Sequence, residues 1–467
     1  QIFEYIQRRG FKKFLSTLLF KSICKIESIV IKKIGLCPDF YNTFNLKKQK
    51  FESIVLNPII SQSGLVFRYP IEDLENIKKL NLDLLIRAGS GILKGEILTV
   101  CPNGVVSFHH ADNEVNRGGP PGFWEVYERN PRTGFIIQKL TNELDGGDVL
   151  YKGYIQTSWF YSLNLVRLYE VANPFLNKVI NDITSTNPKL VLQKKVPYYN
   201  RLYIQPNIRQ SLNYLKKTTY YILSKLIVKL QGKQFRWEVG YQFSSNWNNV
   251  VLWRSHKIPN PKNHFLADPF VIKKDNTHFC FVENYNFKTR KGNISAYEIS
   301  RSGNKNLGVV LDEEFHLSYP FLFEYDNDIF MCPETHEKEE IRLYKCLQFP
   351  NKWKFHKTIM RNVAAVDTNI FQFNKKWWMF TTFNKGIEDH NSQLYIFYSD
   401  NPLSDKWHAH ESNPVLFDSR RARNGGMIID DNQVYRVFQR QGFGMYGESC
   451  GVAKIISLSP TEYREEV

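Results

Sequence analysis

Apolar residues recur every three or four positions through residues 1–50, the spacing of helices with one buried face. The pattern then changes period repeatedly. "FESIVLNPI" (51–59) reads as a strand, "PIEDLENIKKLN" (70–81) as a helix with acidic residues in its first turn, and "LDLLIRAG" (82–89) as a short buried strand ending in glycine. "GILKGEIL" (91–98) reads as helix and "GVVSFHH" (104–110) as strand. Such alternation predicts a parallel sheet with helices on its faces, and ligands outside the carboxyl ends of its strands. "TGFIIQKLTNELDGGDVLY" (133–151) carries an alternating strand into a Gly-Gly turn, and residues 158–183 return to a helical period.

From about residue 235 the chain becomes aromatic-rich and strand-like, and it repeats. "LADPFVIKKDNTHFCFVE" (266–283), "SYPFLFEYDNDIFMCPE" (318–334), "VDTNIFQFNKKWWMFTT" (366–382) and "RNGGMIIDDNQVYRVFQR" (423–440) share one design. Each has a small or polar start, an apolar strand, an Asp/Asn/Lys turn and a second apolar strand. The spacing of roughly 50 residues is that of propeller blades. Four units are visible, and strands at 235–253, with whatever follows the C-terminus, would supply a fifth. The expected architecture is multidomain: an α/β domain over 1–185, a basic helical linker over 186–233, and an all-β five-bladed propeller over 234–467.

Charge and cysteine content narrow the function classes. The net charge of +16 is concentrated in 1–50 and 187–233. Solvated helix faces and a basic linker account for it, as would attraction to a polyanion, a nucleotide-linked substrate or an anionic membrane face. No nucleic-acid-binding motif accompanies the charge, and no stretch has the length and apolarity of a transmembrane helix. The seven cysteines are scattered and never form a CxxC pair, the usage of a reducing compartment such as the cytoplasm. The histidines assemble no zinc signature, so no metal is expected. The chain opens on Gln without a signal-peptide pattern and reads as a fragment.

The densest candidate chemistry is "SFHHADNEVNRGGPPGFWEV" (107–126). A histidine at a strand's carboxyl end, with carboxylates on a nearby glycine turn, suits proton-coupled group transfer; strand-end residues satisfied by the backbone would look the same. Taken in order, residues 82–151 resemble the catalytic domain of the tetrahydrofolate-dependent formyltransferases. That family has an Asn-x-His strand end, an Arg-Gly loop and a Leu-Asp-x-Gly-Asp turn, matched here by His109, Arg117-Gly118 and Leu144-Asp145-Gly146-Gly147-Asp148. The resemblance implies a Rossmann-like domain with an earlier strand–helix unit, His109 and Asp145 as catalytic residues, and 10-formyltetrahydrofolate as formyl donor. The donor would lie along Arg87, Ala88, Gly89, Ile92, Leu93, Glu143, Leu144 and Asp148. The family's Asn falls on Ser107, which would assist His109, with Asn113 or Asn116 as substitutes. Asn113, Arg117 and Trp124 stand where the acceptor amine approaches, although a loop tryptophan also serves packing.

The repeat half resembles five-bladed propellers of the glycoside-hydrolase kind and, more closely, the N-terminal domain of plant glucosamine inositolphosphorylceramide transferases. The repeat itself places Asp268, Asp367 and Arg423 at blade entries, where inner strands would bring them to the central channel, with Glu283 and Glu334 ending the paired strands of the first two units. Carboxylates there serve acid/base chemistry or accept hydrogen bonds from sugar hydroxyls, and an Asp that caps a strand or turn would look the same. Glu411 and Glu448 are the only later candidates for a general acid, which favours carbohydrate recognition over hydrolysis. The leading expectation is a formyltransferase acting on an amine, of an amino sugar or sugar nucleotide, beside a glycan-recognising propeller. A glycosidase or glycosyltransferase acting through the propeller, and a non-catalytic carbohydrate-binding protein, are the alternatives.

Overall fold

The computed structural model describes residues 10–36, 40, 42, 52–89, 91–143, 146–184, 202–383 and 389–467. They form two compact units, 1–223 and 224–467.

The first unit opens with helix α1 (Phe11–Lys33), followed by strands β1 (Ile59–Ile60) and β2 (Val66–Arg68) and helix α2 (Ile71–Lys79). Strands β3 (Leu85–Arg87), β4 (Ile92–Leu93), β5 (Val105–His109) and β6 (Arg117–Gly118) come next. Helix α3 (Phe123–Glu128), strands β7 (Arg132–Lys139) and β8 (Asp148–Gln156), and helix α4 (Tyr161–Thr184) complete the central layer. Strand β9 (Leu202–Tyr203) and helix α5 (Ile208–Leu230) follow. The main sheet has the order β3-β5-β7-β8. Only β3 and β5 run parallel; β5–β7 and β7–β8 are antiparallel. The sheet is thus mixed rather than all-parallel. Between β5 and β7 the chain has β6 and one six-residue helix in place of the long helix that usually carries a parallel crossover, and the Gly-Gly turn closes β7 and β8 as a hairpin.

Three further expectations change. Residues 91–98 are not a helix: β4 pairs in parallel with β2, and one 3-10 turn follows at Glu96–Thr99. Gly91 and Gly95 hold left-handed backbone at φ 95° and 89°, which breaks a helical run, and a Cβ at Gly91 would meet the Phe67 ring at 2.2 Å. The strand expected over 51–59 is reduced to β1, the described residues before it lacking regular structure. Within the expected linker, residues 186–201 lie outside the described residues, but β9 pairs with β6 and α5 docks on α1. Tyr214 of α5 is buried and its hydroxyl donates to Glu27. The docked part of this segment belongs to the first unit.

The second unit contains four antiparallel sheets whose first strands are His264–Lys274, Ser318–Tyr325, Val366–Phe373 and Asn424–Asp430; the third has five strands, two short ones sharing its outer edge, and the others have four. Successive first strands pack on one another, the arrangement of propeller blades around a channel. In each blade the first hairpin turns through two residues of positive φ: Asp275-Asn276, Asp326-Asn327, Asn374-Lys375 and Asp431-Asn432. These are the turns in which Asn and Asp are favoured, which is why the sequence repeat is visible. Tyr319, Phe321, Phe330, Leu343, Ile370 and Met379 fill a core between blades. At the fifth position stands a two-stranded pair, Val239–Tyr241 with His256–Ile258, packed on the first blade. Trp247 beside it donates to Asp430 of the fourth blade at 3.0 Å. This segment therefore bridges the last blade to the first.

Candidate functional sites

In the first unit the parallel pair aligns Arg87 with Ser107, so both side chains lie near the carboxyl ends of their strands. A cavity of about 160 Å³ opens there, and Arg87, Ile92, Leu93, Ser107, His109 and Glu143 all line it, joined by Gln138 of β7. Six residues singled out in the sequence thus share one space. Leu144 and Asp145 lie outside the described residues. The turn beside them needs its glycine: a Cβ at Gly147 would meet the Lys139 carbonyl oxygen at 2.5 Å. Asn142 ties the turn to the opposite wall by accepting from the Gly95 amide at 3.1 Å.

The two histidines separate by environment. His110 packs between Phe108 and Tyr169, at ring distances of 5.1 and 4.0 Å, and burial together with His109 pushes its imidazole down to about 4. It is held in an aromatic stack, and His109 is the one on the cavity. The loop after them is anchored by Asp112, which accepts from Tyr154 at 2.5 Å and pairs with Lys152 at 2.9 Å. Ser107 is buried and its hydroxyl donates to backbone carbonyls, Phe108 at 3.2 Å and Arg87 at 3.4 Å.

Other expected residues fall elsewhere. Gly89 borders a larger apolar cavity of about 530 Å³, which shares Arg87 and Leu93 with the first. Ala88 is exposed, Asp148 starts β8 outside the small cavity, and Asn113 is buried in the loop. Arg117 lies in β6. Trp124 is buried, donates to the Gly119 carbonyl at 3.2 Å and packs on Tyr203 at 4.8 Å, so the tryptophan placed beside the acceptor is a core residue. Sequence reasoning overlooked Glu125, fully enclosed next to it: burial pushes its carboxyl up to about 7.

In the second unit the channel residues come from all four blades. Asp268, Tyr319 and Asp367 occupy equivalent positions, each at a bulge in a first strand and each with left-handed backbone, φ 48°, 48° and 50°. Non-glycine residues pay strain there, and the repeated bulge re-aims the side chain. The fourth blade has its register shift at Gly425, between Asn424 and Gly426. Arg423 just before it donates from Nε to Asp367 at 2.5 Å, and its guanidinium lies 3.6 Å from Glu334 and 4.9 Å from the Tyr446 ring centre. Gln439 also donates to Asp367, at 2.8 Å. His336 lies 2.8 Å from the other Glu334 oxygen. Burial would raise the Glu334 carboxyl, but the His336 hydrogen bond and the Arg423 charge hold it down to about 2. Burial and the Glu334 charge push Asp268 up to about 6, and burial with Asp268 pushes Glu283 well above the carboxylate range.

The sequence therefore located Asp268, Glu334, Asp367 and Arg423 in one cluster. It missed His316, which faces Glu283 at 3.5 Å, as well as His336, Gln439 and Tyr446. The histidines lie outside the blade repeat, so periodicity gave no signal for them. Glu448 pairs with Arg420 at 2.9 Å, and Glu411 is exposed.

Fold and site together define a two-part protein: an α/β unit with a histidine-lined cavity and a propeller with a charged channel. Residues 237–467 match the family model for glucosamine inositolphosphorylceramide transferase 1, N-terminal. The transferase of that name from Arabidopsis thaliana is 37% identical over 224 residues, covering 47% of this chain and 29% of the relative. The chain thus spans under a third of that relative's length. Methionyl-tRNA formyltransferase of Bacillus subtilis is 24% identical over 209 residues, covering 44% of this chain and 63% of the enzyme. Among solved structures, a thermostable family-43 glycoside hydrolase aligns with a TM-score of 0.35 at 12% identity, over 43% of this chain and 75% of its own. The chain is similar over its second half to glucosamine inositolphosphorylceramide transferase 1 and, more distantly, to methionyl-tRNA formyltransferases.

Proposed function

We propose that the protein is a transferase that moves a formyl group from 10-formyltetrahydrofolate to the amine of an amino sugar or sugar nucleotide, with the propeller recognising carbohydrate. The observation that carries this reading is the shared cavity at the carboxyl ends of β3 and β5, lined by Arg87, Ser107, His109 and Glu143. The adjoining apolar cavity, sharing Arg87 and Leu93, suits an aromatic donor with a polar end. The amine nitrogen attacks the formyl carbon and the bond from that carbon to the folate nitrogen breaks. His109 donates to the carbonyl oxygen as it gains charge. The amine's proton passes through Asp145, assigned by resemblance, to the departing folate nitrogen. Because the Ser107 hydroxyl is committed to backbone carbonyls, His109 carries the oxyanion role largely by itself.

In the propeller, Asp367 held by Arg423 and Gln439, with both later glutamates outside the cluster, favours sugar binding over glycoside cleavage. The similarity to a glucosamine-handling transferase supports a glycan or glycolipid acceptor. The test is incubation of the full chain with 10-formyltetrahydrofolate and a panel of free and nucleotide-linked amino sugars, read by mass spectrometry. An N-formyl product that disappears in His109→Ala is expected. Absence of product across the panel, with release of free sugar from glycans instead, would move the activity to the propeller.

A further inference from the structure

We infer that the first unit docks on anionic lipid surfaces through an open groove between α1 and α5. Both helices are amphipathic in an unusual sense: each buries one side and leaves a second apolar stripe in water. Leu19, Ile26 and Val30 of α1 face Leu215 and Ile222 of α5 across a cavity of about 320 Å³. Leu18, Ile26 and Ile222 are 52%, 63% and 45% exposed. Exposed apolar surface of this extent marks an interaction site.

Charge identifies the occupant. Helix α1 carries Lys12, Lys13, Lys21, Lys25, Lys32 and Lys33, all exposed, against one acidic residue, Glu27. That glutamate is turned inward, where it accepts from Tyr214 and the Ser162 amide. Lys21, Lys25 and Lys32 share one face of α1 at four- and seven-residue intervals, next to the exposed Leu18 and Ile29 and away from the groove itself. The docked part of α5 adds Arg209 and Lys216 and no acidic residue, Lys217 being held on the Tyr127 carbonyl. A second copy of the chain would bring lysines against lysines. A layer with acyl chains beneath anionic headgroups matches both the exposed apolar residues of α1 and the lysine row beside them, the requirement for a helix lying in a membrane interface. No described helix is long and apolar enough to cross a membrane, so the contact is with the surface.

The test is co-sedimentation of the full chain with vesicles of phosphatidylglycerol and phosphatidylcholine in equal parts, and with phosphatidylcholine alone. Binding to the anionic vesicles, weaker binding to the neutral ones and loss of binding as salt is raised are expected. Ile26→Glu/Ile222→Glu alters exposed positions, so circular dichroism and the melting transition should match the wild type while vesicle affinity falls at least about tenfold. Wild-type protein left in the supernatant with both vesicle types would overturn the inference, as would unchanged binding by the double variant. A dimer that the double variant dissolves, without vesicle binding, would assign the groove to a second copy instead.

Discussion

The two candidate sites are built in opposite ways. In the α/β unit, the cavity residues come from three short stretches, 87–93, 107–109 and 138–147; the first two meet because the parallel β3 and β5 end together, and the third through the antiparallel pairing of β7 with β5. In the propeller, residues from 268 to 446 meet in one charged cluster, because three blades deliver Asp268, Tyr319 and Asp367 at equivalent bulges and the fourth adds Arg423 just before its own. The first arrangement leaves an open space with its histidine on the wall. The second is tightly paired, with one arginine between carboxylates of two blades. An open site tolerates loss of a side chain and loses chemistry; a paired, buried one loses stability.

That contrast can be broken most forcefully at Arg423. Arg423→Met leaves Asp367 and Glu334 buried without their cation, and should cost about 3–5 kcal/mol of propeller stability, measured by urea denaturation. A variant as stable as wild type would mean that the channel carboxyls are not held by this guanidinium. His109→Ala should reduce formyl transfer about 10²–10³-fold, or roughly 3–4 kcal/mol, while the denaturation midpoint stays within error. Equal loss of activity and stability would make His109 a structural residue.

Two raised carboxyls sharpen the comparison through pH. Glu125, pushed up to about 7 by burial, keeps its proton in the folded state when the unfolded chain has lost it. Its contribution therefore falls as pH rises from about 4.5 to about 7, by about 3 kcal/mol, and then levels off. Glu125→Gln should remove that slope in urea titrations of the full chain. Asp268 gives the same sign in the propeller over the lower window ending at about 6. Asp268→Asn, an exchange that the left-handed backbone tolerates, should leave stability at pH 4 unchanged and raise it at pH 8. A pH dependence identical to wild type would show that Asp268 ionises freely. The smallest effect is expected from Ser107→Ala, less than about threefold in kcat, because the hydroxyl already serves the backbone. A loss comparable to that of His109→Ala would give Ser107 a direct role in the transition state.

What the sequence revealed follows from what each element depends on. Hairpin turns at Asp275-Asn276 and its three counterparts are local chemistry, so the blades could be read from four short strings. The strand ends at Arg87 and His109 were legible because glycine and a polar cluster interrupt apolar runs. The direction of β7 was not legible, since alternation of apolar residues is the same in parallel and antiparallel strands. Helical spacing over 91–98 misled because it ignores the backbone sign that Gly91 and Gly95 adopt. Trp124 and Glu125 show the harder limit: burial nearly all round a six-residue helix depends on contacts distant in sequence, such as Tyr203 against the indole. His316 and His336 reach the channel from loops, where no period operates.

The central claim is that the cavity between β3, β5 and the Gly-Gly turn binds a folate formyl donor. Calorimetric titration of the full chain with a stable 10-formyltetrahydrofolate analogue tests it directly, with wild type set beside His109→Ala/Asp145→Ala. The account predicts saturable one-to-one binding by the wild type and clearly weaker binding by the double variant. No heat of binding from a folded wild-type protein would contradict it and leave the propeller channel as the seat of function.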